Sequence, residues 1–328
     1  MSRRALRYVF YLFALCWAFR AFAQDTSLLG AKTAFDRGEF SRVISILEPQ
    51  ASNDSSNGEV YLLLTKAYLE LKQADAAIKS AEKAVSLDPK NSEYHDWLGQ
   101  AYGEKASHAS MFSAYPLARK TQKEFEIAVS LDPHNFDATQ NLIEYDCTAP
   151  SIVGGGEDKA KPLIQTLMNL DQSQGHYAQA NCLLQKKDTA GATAEFLKAL
   201  ESKPKSMDLV NDIAIYFVNL GEADHVLMAA SAGDAIAPMD PRNKFYRAVG
   251  WILKDDKPKD AEAILRDYLQ GPPRNSDYPS PSAAHYWIGR SYQNQKNNLG
   301  ARTEYETALK LNPNYKKAQE ALKKLGSS

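Results

Sequence analysis

The side chains best suited to chemistry in this 328-residue chain are a triple glycine, Gly154-Gly155-Gly156, and six histidines. A glycine run that opens a helix can cradle phosphate with its N–H groups. A phosphate loop also needs a strand in front of it, and a Gly-Lys-Ser/Thr that brings an ammonium and a hydroxyl to the phosphate and its metal. Here a helical segment precedes the glycines and Glu157-Asp158-Lys159 follows them, so carboxylates stand where the anion would sit. The run reads as an interhelix loop with Asp158 near the N-cap of the next helix. A metal site calls for ligands at close spacing, such as two His four apart on one helix, and His95, His108, His134, His176, His225 and His285 do not provide it. No Gly-x-Ser-x-Gly elbow or paired-carboxylate motif stands out, and Glu82, Glu124 and Glu304 fall on helix faces predicted to be exposed. No cofactor or metal is expected, and the chain is not read as an enzyme. A catalytic site would have to be assembled from residues distant in sequence.

What positions these residues is a repeat. Tyr61, Leu64, Tyr68, Ala77, Ala81, Ala84 and Pro89 stand at the spacing of a 34-residue helix-turn-helix unit. The pattern returns as His95, Leu98, Gly99, Tyr102, Phe125, Ala128 and Pro133, then as His176, Ala180, Leu183, Ala192, Phe196, Ala199 and Pro204. It returns again as His285, Ile288, Gly289, Tyr292, Ala301, Tyr305, Ala308 and Pro313. Small residues sit where helix backbones approach, aromatic residues fill the gaps between, and Pro follows the second helix because it cannot continue one. His95, His176 and His285 share one slot of three copies, which favours packing. Weaker copies lie around Phe35, over 136–171, around Phe217 and over 243–270, giving about eight units. The second clear copy carries about ten extra residues, an insert at 103–120. A Gly-rich loop occupies 148–158, and a helix over 315–325 caps the array. Paired amphipathic helices bury their faces only by stacking, so one elongated all-α array is expected in place of several globular domains.

These units resemble tetratricopeptide repeats. The whole is also similar to exported bacterial proteins of that family, which share the run Leu98-Gly99-Gln100-Ala101-Tyr102-Gly103 before an insert and the loop Ala149-Pro150-Ser151-Ile152-Val153-Gly154-Gly155-Gly156. The resemblance implies a right-handed superhelical solenoid of stacked helix-turn-helix repeats, acting as a non-enzymatic scaffold for partner proteins or peptides. The alternative is an accessory subunit of an envelope enzyme, or an enzyme with its site in the groove. First helices line the concave groove in this family. Carried over by register, the groove positions are Asp96, Gln100 and Glu104, then Gln140 and Glu144, Tyr177 and Asn181, Asn211, and Tyr286, Arg290 and Gln293. The family's Lys/Asn clamp for a C-terminal carboxylate finds acidic Asp96, Glu104 and Glu144 where it would need cations. A basic or neutral polar ligand is expected instead. In the insert, Met111, Phe112 and Tyr115 either fold back on the stack or project to dock a partner. Cys147 and Cys182 fall late in the first helices of adjacent units. They read either as a disulfide or as two small buried apolar side chains.

The N-terminus reads as a signal peptide over 1–23. Arg3, Arg4 and Arg7 precede an apolar run from Tyr8 to Phe19, and Ala21-Phe22-Ala23 has the form of a cleavage site. A membrane anchor is the competing reading, but the run is shorter than the roughly 20 residues a bilayer core requires. Export to the periplasm or beyond is expected, with no span in the mature chain. Cleavage would take away four Arg and no acid, moving the formal charge from −1 to about −5. Such a chain, with no basic run, carries no electrostatic footprint for nucleic acid or anionic lipid.

Overall fold

Short polar side chains decide where the helices begin. In the computed structural model, which describes residues 27–53, 56–272 and 274–326, Asn57, Asn91, Asn135, Asp171, Ser206, Asp240 and Ser280 each accept a bond from an N–H two or three residues on. Each thereby satisfies a donor that the first helical turn leaves over. Before several first helices, Asp88, Asp132 and Asn312 fold the chain back by accepting from the N–H of Lys90, His134 and Asn314. The leader expected over 1–23 lies outside the described residues.

The described residues form α-helices and no strand. In order they are α1 (27–36), α2 (Phe40–Ser52), α3 (Gly58–Glu70), α4 (Ala74–Leu87), α5 (Ser92–Ser107), α6 (Met111–Leu131), α7 (Phe136–Thr148) and α8 (Glu157–Leu170), with a 3-10 turn at Ser151–Val153. Then come α9 (Gln172–Gln185), α10 (Thr189–Glu201), α11 (Met207–Leu220), α12 (Ala223–Ile236), α13 (Pro241–Lys254), α14 (Pro258–Gln270), α15 (Pro281–Asn294), α16 (Asn298–Leu311) and α17 (Lys316–Gly326). They group into two compact units that divide after Ala160, within α8.

Each unit is a pile of helix pairs. In the first, α3 pairs with α4 and α5 with α6, and the first helices α3, α5 and α7 also touch in succession. In the second, α9 to α16 pair likewise, and α11, α13 and α15 touch in succession. The mix of small and aromatic residues explains the close approach. A Cβ on Gly99 would lie 2.6 Å from the Phe125 ring, and one on Gly289 would lie 2.5 Å from Tyr305, well inside ordinary carbon contact. The turns inside the pairs need a left-handed residue. Gly38 and Gly221 supply it, but Lys72, Lys187, Asp255 and Lys296 also stand there with φ of 54–62°, at a cost that glycine would avoid.

The insert is not a loop. α5 runs on to Ser107 and α6 starts at Met111, so the added residues lengthen both helices into a projecting hairpin. Leu117 packs against the cluster of Leu98 and Tyr102, but Met111 and Phe112 are 86% and 91% exposed. Of the two readings of the insert, these side chains follow the projecting one. The Gly-rich loop is held against the same helix. The Tyr145 hydroxyl lies 2.9 Å from Ala118 O and 2.8 Å from Val153 O, and Gln122 Nε2 donates to Gly154 O at 2.8 Å. Gly154 has φ of +104°, and a Cβ on Gly155 would meet Ala149 O at 2.0 Å, so both positions require glycine.

Candidate partner-binding face

In the first unit the site is built on α5 and α7. Asp96 is 2% exposed and accepts from Asn141 Nδ2 and Gln100 Nε2, both at 2.9 Å. Burial pushes its carboxyl up to about 6, against the pull of those two amides. Glu144, one turn beyond Asn141, is exposed at the surface, yet the protein around it draws its carboxyl upward by desolvation. Glu104 accepts from His108 at 3.2 Å and faces Lys72 at 3.5 Å. The face is therefore one of carboxyl and amide groups, with two carboxyls reluctant to ionise. Gln140 precedes Asn141 on the same helix, but it is Asn141 that reaches Asp96.

In the second unit Tyr177 donates to Asp212 Oδ2 at 2.8 Å. Asp212 is exposed at the surface, but desolvation by the protein around it raises its carboxyl, with the Tyr177 bond and Arg242 opposing and Asp208 and Asp277 adding to it. Asn211, the position expected from the register, is instead buried, and its Oδ1 has no hydrogen-bond partner. Tyr286 is buried at 6% exposure against Trp287, Tyr305 and Tyr315. Its hydroxyl accepts from Arg290 at 3.2 Å, and Gln293 Oε1 accepts from Tyr305 at 2.8 Å. Tyr286, Arg290 and Gln293 thus form one internal cluster, and Asn181 is half-buried on α9. Lys317 donates to Asn219 Oδ1 at 2.8 Å, carrying the α17 ammonium to the end of α11. Burial, then Arg290, lowers that ammonium. Sequence reasoning did not find Asn141, Asp212, Asn219 or Lys317.

The three histidines of the shared slot each bind a glutamate of the following helix. Nδ1 lies 2.6 Å from Glu124 for His95, 2.7 Å from Glu195 for His176 and 2.6 Å from Glu304 for His285. The expectation of exposed faces fails for Glu304, which is 9% exposed and also takes Arg266 at 3.1 Å. Burial works against its ionisation, but the bonds from His285 and Arg266 outweigh that and hold it below the usual carboxylate range. Glu82 accepts the Tyr102 hydroxyl at 2.7 Å. Glu124, Glu195 and Glu304 thus clip first helix to second, and Glu82 clips a second helix to the next first one. Cys147 and Cys182 are each disulfide-bonded. A separate crevice of about 760 Å³ opens between α2 and α4, floored by Tyr61, Leu64 and Tyr68.

Models of the tetratricopeptide repeat match residues 34–101 and 282–315. No curated protein matches in sequence. Among solved structures the chain is similar to a monomeric IFIT1 mutant with Gppp-AAAA, with a TM-score of 0.50 and 17% identity over 90% of this chain and 70% of that one. A thermophilic tetratricopeptide-repeat protein of Thermus thermophilus matches at 0.46 and 19%, over 56% and 94%. Cut9 with Hcn1 matches at 0.48 and 16%, over 92% and 55%. The two family matches fall one in each unit, on helix pairs of the same build as those between them, and the chain carries tetratricopeptide repeats in both units.

Proposed function

We propose that the protein is a non-enzymatic interaction scaffold of the bacterial cell envelope, which holds partner proteins or peptides on the face made by its first helices. The observation that carries this reading is Asp96, which at 2% exposure meets a partner only where the Gln100 and Asn141 amides that hold it turn to that partner instead. A carboxyl buried among amides, and pushed up to about 6 by that burial, would regain its charge against a cationic side chain, so the face of α5 and α7 favours a basic segment over an acidic one. Gln100, Asn141 and Gln140 offer amides to the backbone of an extended peptide. Glu144 adds a second carboxyl one turn away.

The N-terminal Arg-rich start, apolar run and Ala21-Phe22-Ala23 support export. Two disulfide-bonded cysteines fit an oxidising compartment, and in this reading Cys147 pairs with Cys182. The test is affinity capture from envelope extract with the parent and with Asp96→Asn. A protein retained by the parent and lost by the variant supports the site. Capture that the variant leaves unchanged would assign binding elsewhere.

A further inference from the structure

The extended hairpin and the Gly-rich loop, apart in sequence, form one surface. Met111, Tyr115, Arg119 and Gln122 recur every three or four residues and so share a face of α6. At the far end of that face Gln122 Nε2 holds Gly154 O, and a Cβ on Gly154 would lie 2.7 Å from Arg119 Nη1. The loop there presents Ile152, 73% exposed. A strip on the order of 16 Å long therefore carries Met111, Phe112 and Tyr115 at its tip and Ile152 at its base, all turned to solvent.

Its charge is the opposite of the rest. Residues 103–123 hold Lys105, Arg119, Lys120 and Lys123 against a single acid, Glu104, in a chain whose formal charge is −1. Lys105 is ion-paired with Asp75, and the Lys120 ammonium lies 4.7 Å over the Tyr102 ring with its charge unpaired by an acid among the described residues. The cations stand 14 positions apart along the chain, between Lys105 and Arg119, and only the antiparallel pairing of α5 and α6 gathers them at one end. No basic run marks them in the sequence.

We propose that this hairpin docks on an anionic lipid bilayer, with Met111, Phe112 and Tyr115 entering the boundary between headgroups and acyl chains, and with Arg119 and Lys120 on the headgroups. A convex apolar tip backed by cations suits an interface that needs no shaped pocket and that attracts positive charge. The inference does not rest on the proposed peptide-binding face, which lies on other residues.

The test places Trp at Phe112 in the full chain and reads the emission gained over the parent on phosphatidylcholine vesicles, with and without phosphatidylglycerol, doped with acyl-brominated lipid. Residue 112 is exposed, so the substitution leaves the fold intact, and a signal read there is distinct from any contact by the apolar run of 1–23. The expected result is a blue shift and bromine quenching on the anionic vesicles. Removing each charge in Arg119→Gln and Lys120→Gln should weaken docking about fivefold. An unshifted, unquenched Trp on both vesicles would overturn the proposal, as would equal quenching on both. A protein ligand retained through Met111 and Phe112 while vesicles stay inert would also overturn it.

Discussion

Replacing Gly289 by Ala should destabilise the second unit although it puts a better helix former inside a helix. The helical gain is about 1 kcal/mol. Against it, the new methyl would lie 2.5 and 2.7 Å from two carbons of Tyr305 and 3.2 Å from Ala301 O, so roughly 1 Å of movement is needed to restore carbon contact. Tyr305 has no exposed surface, and its hydroxyl is anchored on Gln293. Overpacking of this kind costs about 1–3 kcal/mol, and displacing the ring adds about 1 kcal/mol for the weakened hydrogen bond. The net loss should be about 1–3 kcal/mol. Because repeat arrays need not unfold in one step, the assay is native-state hydrogen exchange of α15 and α16 beside a urea melt. Two controls isolate the cause. Gly30→Ala, where nothing lies within 4 Å of the added Cβ, should stabilise by up to about 1 kcal/mol. Tyr305→Leu should make Gly289→Ala less costly in a double-mutant cycle. Equal or greater protection in Gly289→Ala would refute the packing account.

Further outcomes follow from other features. Lys187→Gly and Lys296→Gly relieve left-handed φ of 61° and 62° and should each stabilise by about 1 kcal/mol in thermal melts. Because Glu304 is held below its ordinary range when folded, its contribution is complete above the unfolded value near 4.3 and is lost as pH falls through the folded one. The melting temperature of Glu304→Gln should therefore fall less steeply than the parent's as pH drops from about 5 to 3. Peptide mapping without reductant should recover Cys147 and Cys182 in one linked species.

Much of the fold was legible because packing leaves a chemical trace. Gly99 opposite Phe125 and Gly289 opposite Tyr305 are pairs that only backbone contact explains, and they set the register of their copies. Where such anchors are missing, the register does not say which of two neighbouring residues makes a given contact. Register alone places Gln140 and Asn211 in the groove, but not the bond from Asn141 to Asp96 or from Tyr177 to Asp212. Tyr286 packs on Tyr305 and Gln293 accepts from it, contacts that the helical period leaves open because it predicts a face and not what packs over it. Glu304 looks solvated on its helix because His285 and Arg266 lie 19 and 38 residues away. The cationic hairpin was hidden for a related reason: a turn, and not a run of sequence, brings its charges together.

The most direct test of the peptide-binding account is the affinity of short lysine-rich and glutamate-rich peptides for the protein between pH 5 and pH 7. If Asp96 receives the cation, the lysine-rich peptide should bind about tenfold more tightly at the upper end, as the carboxyl ionises through about 6. Asp96→Asn should abolish that rise. Tighter binding of the glutamate-rich peptide, or a rise that persists in the variant, would contradict it.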